Sequence, residues 1–137
     1  MKLEFLPHTA DIKMRVEAKT LEELFKVAMR GMAEILKEGR CNERHNWPLE
    51  ANISITSKDR TCLLIDFLSE VLSLSCSEKA IYCQLQITTL GAKKMEATIF
   101  GTAIDDLDEE IKAVTYHEAK LEKNNNGLWE TFVIFDI

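Results

Sequence analysis

Apolar residues follow two different periods along this chain, and the order in which the periods change limits the folds open to it. Ile12, Met14, Val16 and Ala18 alternate with Lys13, Arg15 and Glu17, the two-residue period of a strand with one buried face. The period then lengthens, and Leu21, Leu24, Phe25, Ala28, Met32, Ile35 and Leu36 make one helical stripe. Thr20-Leu21-Glu22-Glu23 reads as a capping box, with Thr20 as N-cap and Glu23 at N3. Gly39 is placed to end that helix. The same switch recurs further on. Leu49, Ala51, Ile53 and Ile55 alternate, and a second helix is expected over about 60–75, with Leu63, Leu64, Phe67, Leu68, Val71 and Leu72 apolar.

Strands dominate the remainder. Residues 3–6, stopped by Pro7, form a short strand candidate ahead of the first alternation. Ile81, Cys83, Leu85 and Ile87 alternate, Leu90-Gly91-Ala92-Lys93 is a turn, and Met95, Ala97 and Ile99 alternate again. An acidic loop over 104–110 leads to a strand expected over 112–121. Asn124-Asn125-Asn126-Gly127 is a hairpin turn, and 128–135 is the last strand. Residues 49–102 thus read strand–helix–strand–strand. The flanking pieces, 11–38 and 111–136, read the same once the middle is lifted out. The expected class is α+β: one strand–helix–strand–strand module inserted into a second, with two helices packed on mostly antiparallel sheet. At 137 residues the whole is expected to be one domain, 1–137, with 49–102 as the inserted unit.

Charge and cysteine usage narrow the function classes. A net charge of −6 argues against a broad phosphate-binding face, so stable direct nucleic-acid binding is not expected. No apolar stretch reaches membrane-spanning length, and Met1-Lys2-Leu3-Glu4 is not a signal-peptide start, so no membrane association is expected. Cys41, Cys62, Cys76 and Cys83 form no C-x-x-C pair, which argues against zinc. Cys62 and Cys83 lie in apolar patterns and read as small core residues, and the thiols are expected to be reduced in a cytoplasmic protein.

Polar residues in unusual places carry the candidate chemistry. Asp11 opens an alternating strand, and Asp136 closes the apolar run Phe132-Val133-Ile134-Phe135, one residue from the chain's own carboxylate. Two side-chain carboxylates and an α-carboxylate would together make an all-oxygen site for a hard cation. The plainer alternatives are a loop aspartate bonding nearby amides for Asp11 and a solvating strand end for Asp136. Lys112 reads either as an edge lysine or as a cation that offsets a carboxylate cluster or contacts a phosphate. His8 and His117 are further candidates, while His45 is given no role. Asp105-Asp106-Leu107-Asp108-Glu109-Glu110 lacks the glycine and ligand spacing of a helix–loop–helix calcium loop and reads as a solvated loop. There is no glycine-rich phosphate loop, no G-x-S-x-G and no recognisable Cys–His constellation.

These segments resemble the archease family. The resemblance spans the whole chain and rests on His8-Thr9-Ala10-Asp11-Ile12, Thr20-Leu21-Glu22-Glu23-Leu24-Phe25, Leu64-Ile65-Asp66-Phe67-Leu68-Ser69-Glu70, Ile111-Lys112-Ala113-Val114-Thr115-Tyr116-His117 and Phe135-Asp136-Ile137. It implies the nested fold already read from the periods. It also implies a non-catalytic protein cofactor of the GTP-dependent RNA-splicing ligase. Such a cofactor promotes guanylylation of the ligase's active-site histidine and its multiple turnover in joining tRNA exons. The resemblance further implies a divalent metal ion, calcium before magnesium or manganese, held by Asp11, Asp136 and Ile137. The ligase-activating set it implies is Asp11, Lys112, Asp136, His8 and His117. Two other readings stand beside it: a chaperone-like protein-binding module, and a metal-dependent hydrolase using Asp11, Asp136 and His8.

Overall fold

In the computed structural model, which describes residues 1–6, 11–43 and 46–137, helix α1 (Leu21–Leu36) begins where its capping box puts it. Thr20 is extended and its hydroxyl accepts the Glu23 N–H at 3.1 Å, with Glu22 and Glu23 in the first turn at the positive end of the helix dipole. Helix α2 (Arg60–Glu78) starts in the same way, on Asp59, whose side chain accepts the Cys62 N–H at 2.8 Å. That hydrogen bond holds the Asp59 carboxyl below its ordinary pKa.

The strands are β1 (Lys2–Leu6), β2 (Asp11–Ala18), β3 (Leu49–Thr56), β4 (Ala80–Leu90), β5 (Lys94–Ala103), β6 (Ala113–Thr115), β7 (Glu122–Lys123) and β8 (Trp129–Asp136). They form two antiparallel sheets. One runs β1-β2-β8-β6, with β7 also on β8, and the other runs β3-β5-β4. The nested repetition is visible in these orders. In each unit a strand precedes a helix and the last strand lies between two others, β2-β8-β6 in one and β3-β5-β4 in the other, the outer unit adding the two-residue β7 on β8.

Both helices lie in the core. Helix α1 packs on β2 and also on β4, which belongs to the other sheet, so Val27, Met29 and Ala33 are buried in addition to the expected stripe. Helix α2 packs on β3, β4 and β6, and the rings of Phe25 and Phe67 meet at 5.8 Å between the helices. A Cβ at Gly31 would strike the Met14 sulfur, so this glycine lets α1 lie close on β2. On the opposite face of the first sheet, Arg15 Nη2 bonds Glu17 and Glu130, each at 2.9 Å, and Asn124 Nδ2 bonds the same two carboxylates at 2.6 and 2.8 Å. Asn124, and after it Arg15, hold the Glu130 carboxyl below its ordinary pKa. No described helix is long and apolar enough to cross a membrane.

Several expectations are corrected. Helix α1 stops at Leu36, before Gly39, because the acidic loop docks on its end: Asp108 N–H donates to the Leu36 carbonyl at 2.8 Å. Gly39 instead takes a left-handed conformation, φ 77°, ahead of a 3-10 turn at Arg40–Asn42. Helix α2 runs past 75 to Glu78 and ends on left-handed Lys79, φ 50°. Only Ala113–Thr115 of the expected 112–121 strand is strand, and Glu118 turns the chain with φ 58°. Cys83 is not a free core thiol, since it forms a disulfide with Cys41, Cα–Cα 5.4 Å. Cys62 sits half-buried in the first turn of α2, where loss of solvent pushes its thiol pKa up.

Candidate functional site

Asp11 and Asp136 are brought together by strand pairing. Asp11 is the first residue of β2 and Asp136 the last of β8, and the antiparallel register sets them directly opposite one another. Directly opposed residues project from the same face, with Cβ atoms roughly 4.5–5.5 Å apart. That face is the one carrying Lys13 and Arg15, while the alternate residues Met14 and Val16 are buried against α1. Both aspartates are half-buried. On its other side Asp136 faces Ala113 of β6, and its carbonyl accepts the Lys112 N–H at 2.7 Å. Lys112 is therefore tied by its backbone to the Asp136 end of β8, and it is exposed. Ile137 follows with its side chain packed against the core, which anchors the residue beside the carboxylate pair.

His117 lies in the exposed turn beyond β6. Its neighbour Glu118 pairs with Lys13 at 3.3 Å, and Lys13 is the next residue after Asp11 on the same face of β2. His8 lies outside the described residues, as does His45. Asp11, Lys112, Asp136 and Ile137 thus converge on one end of the first sheet.

A groove opens next to this end. It has a volume of about 600 Å³ and is lined by Phe5, Leu6, Asp11, Ile12, Glu34, Ile35, Glu38, Asp108 and Glu109. The acidic loop forms one wall and is fixed to the end of α1. Lys37 Nζ bonds Asp106 and Asp108 at 3.1 and 3.2 Å, and Asp108 accepts the Glu38 N–H at 2.9 Å. These contacts raise the Lys37 pKa, through Asp106 first, and lower that of Asp108, through the Glu38 N–H first.

The Archease protein family (MTH1598/TM1083) matches residues 3–137. The chain belongs to the archease family. A protein archease from Methanosarcina mazei is 33% identical over 99% of this chain and 96% of its own length. One from Thermococcus kodakarensis is 30% identical over 99% of both chains. The solution structure of protein 1598 of Methanobacterium thermoautotrophicum superposes with a TM-score of 0.77 at 27% identity, covering 98% of each chain. The crystal structure of an archease from Thermotoga maritima, described as a possible chaperone, has a TM-score of 0.64 at 22% identity, over 96% of this chain and 94% of that one, and is similar in fold.

Within this archease the donor chemistry at the sheet end suits a hard cation, since carboxylate oxygens are the ligands such ions take. Among the described residues no set of three His, Cys, Asp or Glu side chains is close enough to hold an ion.

One constellation escaped sequence reasoning. Asp66, in α2, accepts a hydrogen bond from Ser57 Oγ at 2.5 Å and another from the Tyr116 hydroxyl. The hydrogen bond to Asp66, reinforced by burial, pushes the Tyr116 phenol up to about 12. Leu121 N–H donates to Thr61 Oγ1 at 3.0 Å. Together these clip the segment that follows β6 onto α2. The available signal was an acidic residue, Asp66, within an apolar run of the helix.

Proposed function

We propose that this chain activates the GTP-dependent RNA-splicing ligase, promoting guanylylation of the ligase histidine and multiple turnover in tRNA exon joining, and is not itself the catalyst. The observation that carries this reading is the facing pair Asp11–Asp136, with Lys112 and Ile137 on the same end of the sheet. Asp11, Asp136 and the Ile137 carboxylate would hold a divalent ion, calcium before magnesium or manganese, and such an ion offsets charge on phosphates during nucleotidyl transfer. Strand pairing presets the two carboxylates, so little ordering is needed when an ion binds. Lys112, tied to the same sheet end by its backbone, would supply a positive group for a phosphate or a partner carboxylate, and His8 and His117 would complete the set.

The test is to combine the protein with its own organism's ligase, GTP and a divalent ion, and to follow covalent guanylylation of the ligase. Faster guanylylation and more ligation events per ligase support the proposal, whereas equal rates with and without the protein reject it. A chaperone-like module is the second reading. It is favoured by the apolar side chains Leu3 and Phe5 on edge strand β1, 37% and 44% exposed. Suppressed aggregation of an unrelated client, with no effect on the ligase, would select it.

A further inference from the structure

The groove beside Asp11 has a composition that the ion-binding reading leaves unexplained. Its floor and rim carry Phe5, Leu6, Ile12 and Ile35, and its walls carry Asp11, Glu34, Glu38, Asp108 and Glu109. No described lining residue is a lysine or arginine. Lys37, the C-cap of α1, is already bonded to Asp106 and Asp108. Helix α1 ends at this groove with no basic residue in its last turn, so the negative end of its dipole adds to the field. Among the described residues no three acidic side chains are close enough to hold one ion. That spacing suits several separate positive groups better than one ion. The apolar floor and the 44% exposed ring of Phe5 call for hydrophobic side chains between them. Nucleic acid is disfavoured by the same charge.

We propose that this groove docks a segment of a protein partner in which basic and apolar side chains alternate. The basic groups would meet Glu38 and Glu109, which are exposed where the acidic loop docks on the end of α1, and the apolar ones would pack on Phe5 and Ile35. A segment seated there ends beside Asp11 and brings the rest of the partner to the carboxylate pair. The proposal rests on the reading of the chain as an activator that binds a protein, and deepens it by naming the surface and the chemistry of the contact.

Calorimetric titrations test it with two probes, the ligase and a synthetic peptide of alternating lysine and leucine. Wild-type protein should bind both, more weakly as salt rises. Glu38→Lys with Glu109→Lys should weaken both about tenfold or more, and Phe5→Ser should do so by about the same factor. The control, Glu50→Lys with Glu70→Lys, makes the same charge change at exposed sites outside the groove. It should stay within about twofold of wild type. Groove variants that bind the ligase or the peptide as wild type does overturn the proposal. Equal loss in the control also overturns it, since net charge alone would then explain the effect. If the peptide binds at the groove but the ligase neither binds nor is stimulated, the groove stands and the ligase reading falls. If the ligase is stimulated by groove variants with undiminished affinity, the ligase reading stands and the groove falls.

Discussion

Reduction of the Cys41–Cys83 disulfide should cost this protein much of its stability. The bridge ties the 3-10 turn after α1 to β4, closing a loop with a sequence separation of 42. Cross-linking a loop of that length removes chain entropy from the unfolded state worth about 4 kcal/mol at 25 °C in the loop-closure model. Each kcal/mol moves the midpoint of a domain this size by about 2–4 °C, so reduction should lower Tm by about 8–16 °C. Differential scanning calorimetry with and without a phosphine reductant measures the shift. Alkylation of the denatured, unreduced protein followed by mass measurement checks the premise: two thiols, Cys62 and Cys76, should react. Four alkylated thiols, or a Tm change under about 2 °C, would refute the reasoning.

Other outcomes follow from the packing, the charges and the chain end. Phe67→Ala empties a fully buried ring site against Phe25 and should cost about 3–5 kcal/mol, read as a lower urea midpoint. Arg15→Met leaves Glu17 and Glu130, directly opposed on β2 and β8, without their shared cation and should cost about 1–2 kcal/mol at neutral pH. Because the Glu130 pKa is lowered from 4.5 on folding, its contribution is present above that value and is lost as pH falls through the folded one. Urea midpoints should therefore drop in that acidic window for wild type, and less for Arg15→Met. A tag appended after Ile137 replaces the α-carboxylate by a neutral carbonyl and should weaken calcium binding in calorimetry and stimulation of the ligase, whereas the same tag before Met1 should change neither.

Local physics made much of this fold legible. The Thr20 N-cap, the β2 alternation and the Asn124–Gly127 hairpin each depend on neighbours a few residues away, and each appears as read. The nested order was legible too, because each helix and strand announces its own period. The failures share a cause, which is partners distant in sequence. Residues 116–121 carry a partly β-like pattern, yet Asp66 and Thr61 of α2 capture Tyr116 and Leu121 and pull the segment out of the regular ladder with β8, which only the Lys120 N–H still reaches, at Thr131 Oγ1. The end of α1 is decided by Asp108, not by the nearby Gly39. No spacing rule links Cys41 to Cys83. Asp11 and Asp136 were legible as candidates because one opens an alternating strand and the other closes an apolar run, and because both fall in the segments that resemble the archease family. The groove beside them was not, since β1, α1 and the acidic loop build it from segments far apart.

The most direct test of the account is the rate of ligase guanylylation with Asp136→Asn, measured at saturating GTP and divalent ion beside wild type and Asp11→Asn. Asparagine keeps the size of the side chain and removes its charge, so the β2–β8 register should persist and Tm should stay within about 2 °C. The account predicts that wild type accelerates guanylylation and that each variant loses about tenfold or more of that stimulation. Full stimulation by both variants would contradict the assignment of Asp11 and Asp136 as the working site.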